Sequence, residues 1–131
     1  MQKLVYPEEV EVHYLLPAIR RQLALFLKER GLGHGEIAQL LKISEPSVSH
    51  YVKAKRATKV IFSGVEKDEI NKSAERLVQN NRPLVEETAH LLHVLKESRF
   101  TCKVCTEVTD APKECVACFQ HGVIFHERAT N

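Results

Sequence analysis

The chain has 131 residues, of which 44% are hydrophobic, and 19 basic and 17 acidic side chains leave it a net charge of only +2. This length is typical of one modest domain or two small coupled units. The small net charge excludes a strongly basic or strongly acidic protein. No apolar run reaches the roughly 18 residues of a membrane span, and Pro7 with two acidic residues interrupts the segment where a signal-peptide core would lie. We therefore expect a cytoplasmic protein with no membrane partner.

The hydrophobic periodicity predicts a mainly α protein. Residues 4–13 are an exception, because Val10 and Val12 flank Glu11 in an alternating pattern that indicates a short strand or extended arm. Pro17 then opens a first helix, and Gly31 ends it as a C-terminal cap would. Four further helices are predicted over 35–41, 45–54, 66–79 and 83–98, with a connector over 57–65.

The helices over 35–41 and 45–54 have the pattern of a helix-turn-helix. Ala38 is small where two helices cross closely, and Ser44 is placed to cap the later helix, whose first turn tolerates Pro46. The residues that would fill the shared core recur at helical spacing: Ile37, Leu41, Ile43, Val48 and Tyr51. A basic run follows, made of Lys53, Lys55, Arg56 and Lys59. This combination favours a DNA-reading unit over an ordinary helical pair.

The stretch HGEIAQLLKISEPSVSHYVKAKR resembles the helix-turn-helix of lambda-repressor/Cro-like regulators. With YLLPAIRRQLALFLKERGL ahead of it, the segment 10–57 is similar to a group of predicted archaeal transcriptional regulators. The resemblance implies a homodimer that binds a palindromic operator in double-stranded DNA, with the second helix of the motif in the major groove. It implies base contacts from Glu45, Ser49 and His50, base or phosphate contacts from Ser44 and Ser47, and phosphate contacts from Lys53, Lys55 and Arg56.

Lys42 departs from the pattern of that family, which usually has glycine at this position of the turn. A residue there often adopts the left-handed conformation, which costs a non-glycine residue about 1 kcal/mol. The sequence therefore predicts a helix-turn-helix with a weakened turn.

The four cysteines of the chain form two close pairs, Cys102 with Cys105 and Cys115 with Cys118. Two residues separate the members of each pair, so that one chain reversal would point both sulfurs at a single centre. Such a quartet in a reducing cytosol favours metal ligation or redox chemistry over structural disulfides. The sequence therefore predicts that all four cysteines are ligands of one centre.

Two kinds of centre fit the four thiolates. Zinc ribbons usually separate their cysteine pairs by about 15–20 residues, and zinc knuckles often carry glycine just after the second cysteine. Here only Thr106 to Glu114 intervene, and apolar neighbours such as Val104, Val116 and Phe119 would shield a cluster from water. We favour an iron–sulfur cluster of the 4Fe–4S type, with a zinc ion or a metal-free dithiol switch as alternatives.

These features divide the chain into a helix-turn-helix DNA-binding domain over 1–57, linker and dimerisation helices over 58–98, and a four-cysteine module over 99–131. We expect a regulator that senses iron or redox state, in which the centre shifts the helices over 66–79 and 83–98. The alternatives are the same regulator with a structural zinc site, a redox or electron-transfer protein, and an adaptor that contacts proteins alone. No triad order, glycine-rich phosphate loop or paired-carboxylate cleft is present in the sequence, so we expect neither an enzyme nor a small-molecule substrate.

Overall fold

Helices account for most of the ordered backbone in the computed structural model of the chain, which describes residues 4–53 and 60–119. Within those two ranges the backbone contains no strand. A π-helical turn, Glu11–Leu15, joins the first two α-helices. The α-helices are α1 (Pro7–Val10), α2 (Leu16–Glu29), α3 (His34–Leu41), α4 (Glu45–Val52), α5 (Gly64–Val78), α6 (Leu84–Glu97) and α7 (Phe100–Val108).

The strand or extended arm predicted over residues 4–13 is wrong, because this segment is helical from Pro7 onward. In a strand Val10 and Val12 would lie on the same face, whereas Val10 is fully buried and Val12 is 56% exposed. The carboxylate of Glu9 accepts hydrogen bonds from the backbone N–H groups of Val5 and Tyr6, at 3.1 and 2.9 Å. Proline in the first turn and an acidic side chain that caps it therefore outweigh the local alternation.

Helix α2 is the central element of the fold, and it packs on α3, α4 and α5. Its buried side chains are Ala18, Ile19, Leu23, Ala24, Phe26 and Leu27. The helix ends as predicted, since Gly31 has a φ of 88°, a conformation that glycine adopts without steric cost. Beyond that end, Arg30 donates from Nε to the Glu75 carboxylate of α5 at 3.0 Å, which joins the two helices.

The predicted helices over 35–41, 66–79 and 83–98 are confirmed within one or two residues by α3, α5 and α6. Helix α4 also begins where predicted, but it ends at Val52, before the predicted end at residue 54, which lies outside the described residues. Buried hydrophobic side chains from Val10 to Cys105 form one core cluster. None of the helices in residues 4–53 and 60–119 combines the length and the apolar character that crossing a bilayer requires.

A buried carboxylate joins α5 to α6. Glu87 is fully buried, and it accepts hydrogen bonds from Arg76 at 2.7 and 3.1 Å and from Ser73 at 2.8 Å. Burial opposes ionisation of Glu87, but the hydrogen bonds from Arg76 and Ser73 outweigh it and hold the pKa of the carboxyl below its ordinary value. Glu87 is therefore ionised in the folded protein, and the hydrogen bonds from Arg76 and Ser73 keep its buried charge from destabilising the fold.

Replacing Arg76 with methionine is expected to lower the free energy of unfolding by about 3–5 kcal/mol at neutral pH, because it leaves a buried charge without its main partner. The lowered pKa means that Glu87 stabilises the wild-type fold above the unfolded-state pKa and that this contribution is lost as the pH falls through the folded value. The difference between the two proteins should therefore shrink in acid. Urea denaturation at several pH values measures it.

Arg82 supplies the matched control. Its guanidinium lies 3.8 Å from Glu87 and its side chain is 43% exposed, so Arg82→Met should cost no more than about 1 kcal/mol. Equal losses in the two variants would contradict the role given to Arg76.

Candidate functional site

The turn between α3 and α4 adopts the geometry that a helix-turn-helix requires. Lys42 ends α3 with φ 55° and ψ 44°, which is the left-handed conformation expected at this position. The N–H of Ile43 then donates to the carbonyl of Ala38 at 3.1 Å and closes the helix end. A lysine therefore occupies a backbone conformation that glycine adopts at lower cost.

Lys42→Gly is expected to raise the free energy of unfolding by about 0.5–1 kcal/mol, because glycine removes the left-handed strain at a modest entropic cost. Lys72→Gly is the control: Lys72 is exposed in the middle of α5, where the same change should destabilise the protein by about 1 kcal/mol. Thermal or urea unfolding measures both. A destabilised Lys42→Gly variant would show that the turn is not strained.

Ser44 caps α4 as the sequence predicts. Its hydroxyl oxygen accepts a hydrogen bond from the backbone N–H of Ser47 at 3.2 Å, and the two hydroxyl groups lie 2.9 Å apart. Both serines therefore take part in the capped first turn of α4.

The two sides of α4 differ in burial. Val48 and Tyr51 are in the core, as predicted. His50 and Lys53 are exposed, and Ser49 is half-buried. The predicted DNA contacts described here therefore lie on the side away from the core, whereas Lys55 and Arg56 lie outside the described residues.

Glu45 is exposed, but its carboxylate lies back over the first turn of α3. A Cβ built on Gly35 would be only 2.8 Å from Oε1 of Glu45. Gly35 thus leaves the space that this carboxylate occupies. The sequence analysis predicted a base contact for Glu45 but did not predict its position beside Gly35. The carboxylate would have to move away from Gly35 before it could reach a base.

The four cysteines line one cavity of about 150 Å³. Cys102 and Cys105 lie on α7, where a separation of three residues places both on one face of the helix. The predicted chain reversal within the first pair is therefore wrong. The reversal comes after α7, where the Thr109 hydroxyl donates to the Cys105 carbonyl at 2.6 Å and accepts from the Ala111 N–H at 3.0 Å. The returning segment brings Cys115 and Cys118 to the same cavity.

Arg99 holds this returning segment. Arg99 precedes α7 in the left-handed conformation, with a φ of 68°, which allows a tight turn between α6 and α7. Its guanidinium donates to the Cys115 carbonyl at 3.3 Å. The same guanidinium lies 3.9 Å from the ring centroid of Phe119, a cation–π contact. Both contacts fix the second cysteine pair relative to the first.

Burial disfavours the charged form of two of the four thiols, those of Cys105 and Cys118. Burial raises the pKa of the Cys105 thiol to about 11, and negative charge on Cys118, Cys102 and Cys115 acts in the same direction. Burial also raises the pKa of Cys118, against an opposing effect of the Lys96 ammonium. Cys105 and Cys118 should therefore release protons when they bind a metal as thiolates.

Three polar side chains that the sequence analysis missed line the cavity with the cysteines: Thr101, Lys96 and Thr109, whose hydrogen bonds are given above. Thr101 is 1% exposed, and its Oγ1 has no hydrogen-bond partner. Lys96 extends from α6, and its Nζ lies 3.5 Å from Oε2 of Glu11. A buried hydroxyl without a partner is costly, so Thr101 is suited to donate to an acceptor bound in the cavity. The sequence could have indicated this role, because Thr101 precedes Cys102 directly and Cys105 by four residues, so that a helix places it on the side of the cysteines.

The residues present fit a thiolate-bound centre in donor chemistry. Thiolate sulfur is the ligand of both zinc and iron–sulfur clusters, and sulfur accepts hydrogen bonds from hydroxyl donors. Among the side chains of residues 4–53 and 60–119, no three cysteine, histidine or acidic groups converge as one bound metal ion requires.

The two candidate sites occupy different parts of the fold. Helix α4 packs mainly on α2 and α3, whereas α7 packs mainly on α1 and α6. The apolar N-terminal residues Val5 and Pro7 also line the cysteine cavity, which no sequence pattern indicated. Comparisons of the chain with protein-family models, with curated proteins and with solved structures gave no match.

Proposed function

We propose that the protein is a transcriptional regulator that binds duplex DNA through α4 and whose DNA affinity depends on an iron–sulfur cluster held by four cysteines. The observation that carries this proposal is the cavity, in which four thiols and the unpaired Thr101 hydroxyl face one space. A bound cluster would supply a redox-sensitive anionic centre there. Cys102, Cys105, Cys115 and Cys118 would hold it, and Thr101 and Lys96 would offer it a hydrogen bond and a positive charge.

The DNA-reading part of the proposal rests on the geometry of α3 and α4. A left-handed residue closes α3, a serine caps α4, and the side of α4 that carries Ser49, His50 and Lys53 is turned away from the core. This is the arrangement in which the second helix of a helix-turn-helix enters the major groove. It supports sequence-specific binding by His50 and Ser49, with phosphate contact from Lys53.

A homodimer on a palindromic operator is part of the same proposal. Helices α5 and α6 expose Val65, Val78 and Val85, at 65%, 41% and 74% of their surface. Burial of these apolar side chains against a second copy would place two recognition helices on one duplex, where half-sites are about 34 Å apart. The regulator would act in the cytoplasm, where reducing conditions keep the thiols available.

A structural zinc site is the second candidate. Within residues 109–119 only Thr109 is buried, so the segment that carries Cys115 and Cys118 has little core of its own. Segments of this kind often gain their stability from a tetrahedral zinc ion, which here would have to draw the cysteines of the described residues closer together. In that case the cysteines would stabilise the fold without changing DNA affinity.

Anaerobic purification followed by iron, sulfide and zinc analysis separates the two candidates. The protein is then used to select a duplex from a randomised library, and its affinity for that duplex is measured with the centre loaded, stripped and oxidised. Iron with acid-labile sulfide and a state-dependent affinity supports the regulator. Stoichiometric zinc with one affinity in all conditions supports the structural site, and failure to select any duplex overturns the DNA-binding proposal.

A further inference from the structure

One continuous helical run connects the two candidate sites. It begins at Pro7, passes through the π-helical turn Glu11–Leu15, and ends at Glu29. At its start, Val5 and Pro7 line the cysteine cavity and α1 packs on α7. Further along, α2 packs on α3 and α4. The run therefore contacts the cavity at one end and supports the recognition helix at the other.

A single ion pair lies where the run meets the cavity wall. Nζ of Lys96 is 3.5 Å from Oε2 of Glu11, and the Glu11 side chain is 16% exposed. Lys96 also lines the cavity, and its positive charge acts on the Cys118 thiol there. Glu8 precedes Glu11 by one turn and adds a second negative charge on this part of the run.

We propose that the Pro7–Glu29 run transmits the state of the cysteine centre to α4, with the Lys96–Glu11 ion pair as the contact that switches. This inference rests on the proposed function and specifies how that site is regulated.

The physical reason is competition for one ammonium group. Without a bound centre, Lys96 has Glu11 as its partner. Four thiolates around a dipositive centre carry about two net negative charges, and one-electron reduction adds another. Lys96 is then attracted toward the cavity, while Glu8 and Glu11 are repelled from it. The ion pair therefore weakens when the site is filled, and the run loses a tether to α6.

The π-helical turn supplies an element that can have two arrangements. A π turn holds one residue more than an α turn, and such turns are frequently found at functional sites. Converting it to regular α-helix would rotate the chain before it by about 100° relative to α2, the rotation that one residue contributes. Glu11 is the first residue of the turn. Breaking its ion pair with Lys96 therefore changes the forces on the segment in which the two arrangements differ.

Two other routes to α4 are less direct. Helix α5 packs on α2 and is joined to it by the Arg30–Glu75 pair, but none of the cavity-lining side chains comes from α5. The ring of Phe62 lies 5.1 Å from that of Phe100 at the start of α7, yet neither ring lines the cavity. These contacts offer matched controls.

Hydrogen exchange of the full chain tests the inference without DNA. The protein is compared stripped and after anaerobic loading with ferrous iron and sulfide, as wild type, Glu11→Gln, Lys96→Met and Glu75→Gln. We expect loading to change the exchange of amides 8–16 about tenfold in wild type and in Glu75→Gln. In Glu11→Gln and Lys96→Met this change should largely disappear, and the two substitutions combined should have no additional effect.

The selected duplex supplies the second measurement. The ratio of its affinities for loaded and stripped protein should lie within about 5–150-fold in wild type and fall toward one in Glu11→Gln, with Glu75→Gln and Phe62→Leu retaining it. A ratio retained in Glu11→Gln, or amides 8–16 that do not respond to loading in wild type, overturns the inference while leaving the regulator in place. A wild-type protein that binds no iron, or whose affinity does not depend on loading, overturns the proposed function itself.

Discussion

Replacing Cys105 with serine is expected to abolish loading of the centre. Cys105 is 8% exposed and lines the cavity with the other three cysteines, so a serine there would remove one of the four proposed ligands. Hydroxyl oxygen is a poor ligand for iron in clusters and for zinc, both of which prefer thiolate in such sites. Iron and sulfide content after anaerobic reconstitution should fall to background, and DNA affinity should no longer depend on reconstitution.

Controls on the same helix separate ligand loss from damage to the fold. Thr106 follows Cys105 but does not line the cavity, so Thr106→Ser should load normally. The stripped Cys105→Ser protein should be less stable than stripped wild type by no more than about 1–3 kcal/mol, the cost of a buried hydroxyl in place of a thiol that behaves as a small hydrophobic group. Normal iron and sulfide content in Cys105→Ser would contradict the four-cysteine centre.

Thr101→Val probes the hydroxyl that has no partner in the cavity. Valine keeps the shape of the side chain and removes the donor, so loading should persist. Hydrogen bonds to cluster sulfur stabilise the more negative, reduced form, and their loss should lower the midpoint potential of the loaded protein. An unchanged potential would show that Thr101 does not contact the bound group.

Replacing Ser49 and His50 together with alanine is expected to reduce affinity for the selected duplex by about 30-fold or more. Each base contact contributes about 1–3 kcal/mol of discrimination, and the loss should bring binding close to the level for unrelated DNA. Both positions lie on the side of α4 away from the core, so the fold should be unaffected. Fluorescence anisotropy with the selected and a scrambled duplex measures the change.

Two other substitutions define what this result means. Lys53→Ala should weaken binding to both duplexes alike and reduce the slope of log affinity against log salt by about 1, because Lys53 is assigned to phosphate. His93→Ala, at an exposed histidine on α6, should leave both affinities unchanged. Selective binding that survives in the Ser49 and His50 double variant would favour an adaptor that uses α4 for protein contact.

Local patterns in the sequence predicted correctly those features that depend only on residues within one element or its turn. The cap by Ser44, the left-handed Lys42 and the end of α2 at Gly31 depend on a few neighbouring residues, and all three were predicted. The N-terminal segment was predicted wrongly because alternation over three residues cannot be distinguished from a single helical turn. Its helical form depends on Pro7, on the Glu9 cap, and on the packing of Val10 in the core.

The sequence by itself determined a mainly helical protein, the order of α2 to α6, and two pairs of cysteines spaced as ligands. Only the tertiary structure decided that Val5, Pro7, Lys96 and Thr101 meet those cysteines in one cavity, and that Glu11 pairs with Lys96. The reason is physical. Helix periodicity and caps depend on neighbours a few residues apart, whereas contacts between residues 5, 11, 96 and 101 depend on how α1, α6 and α7 pack together.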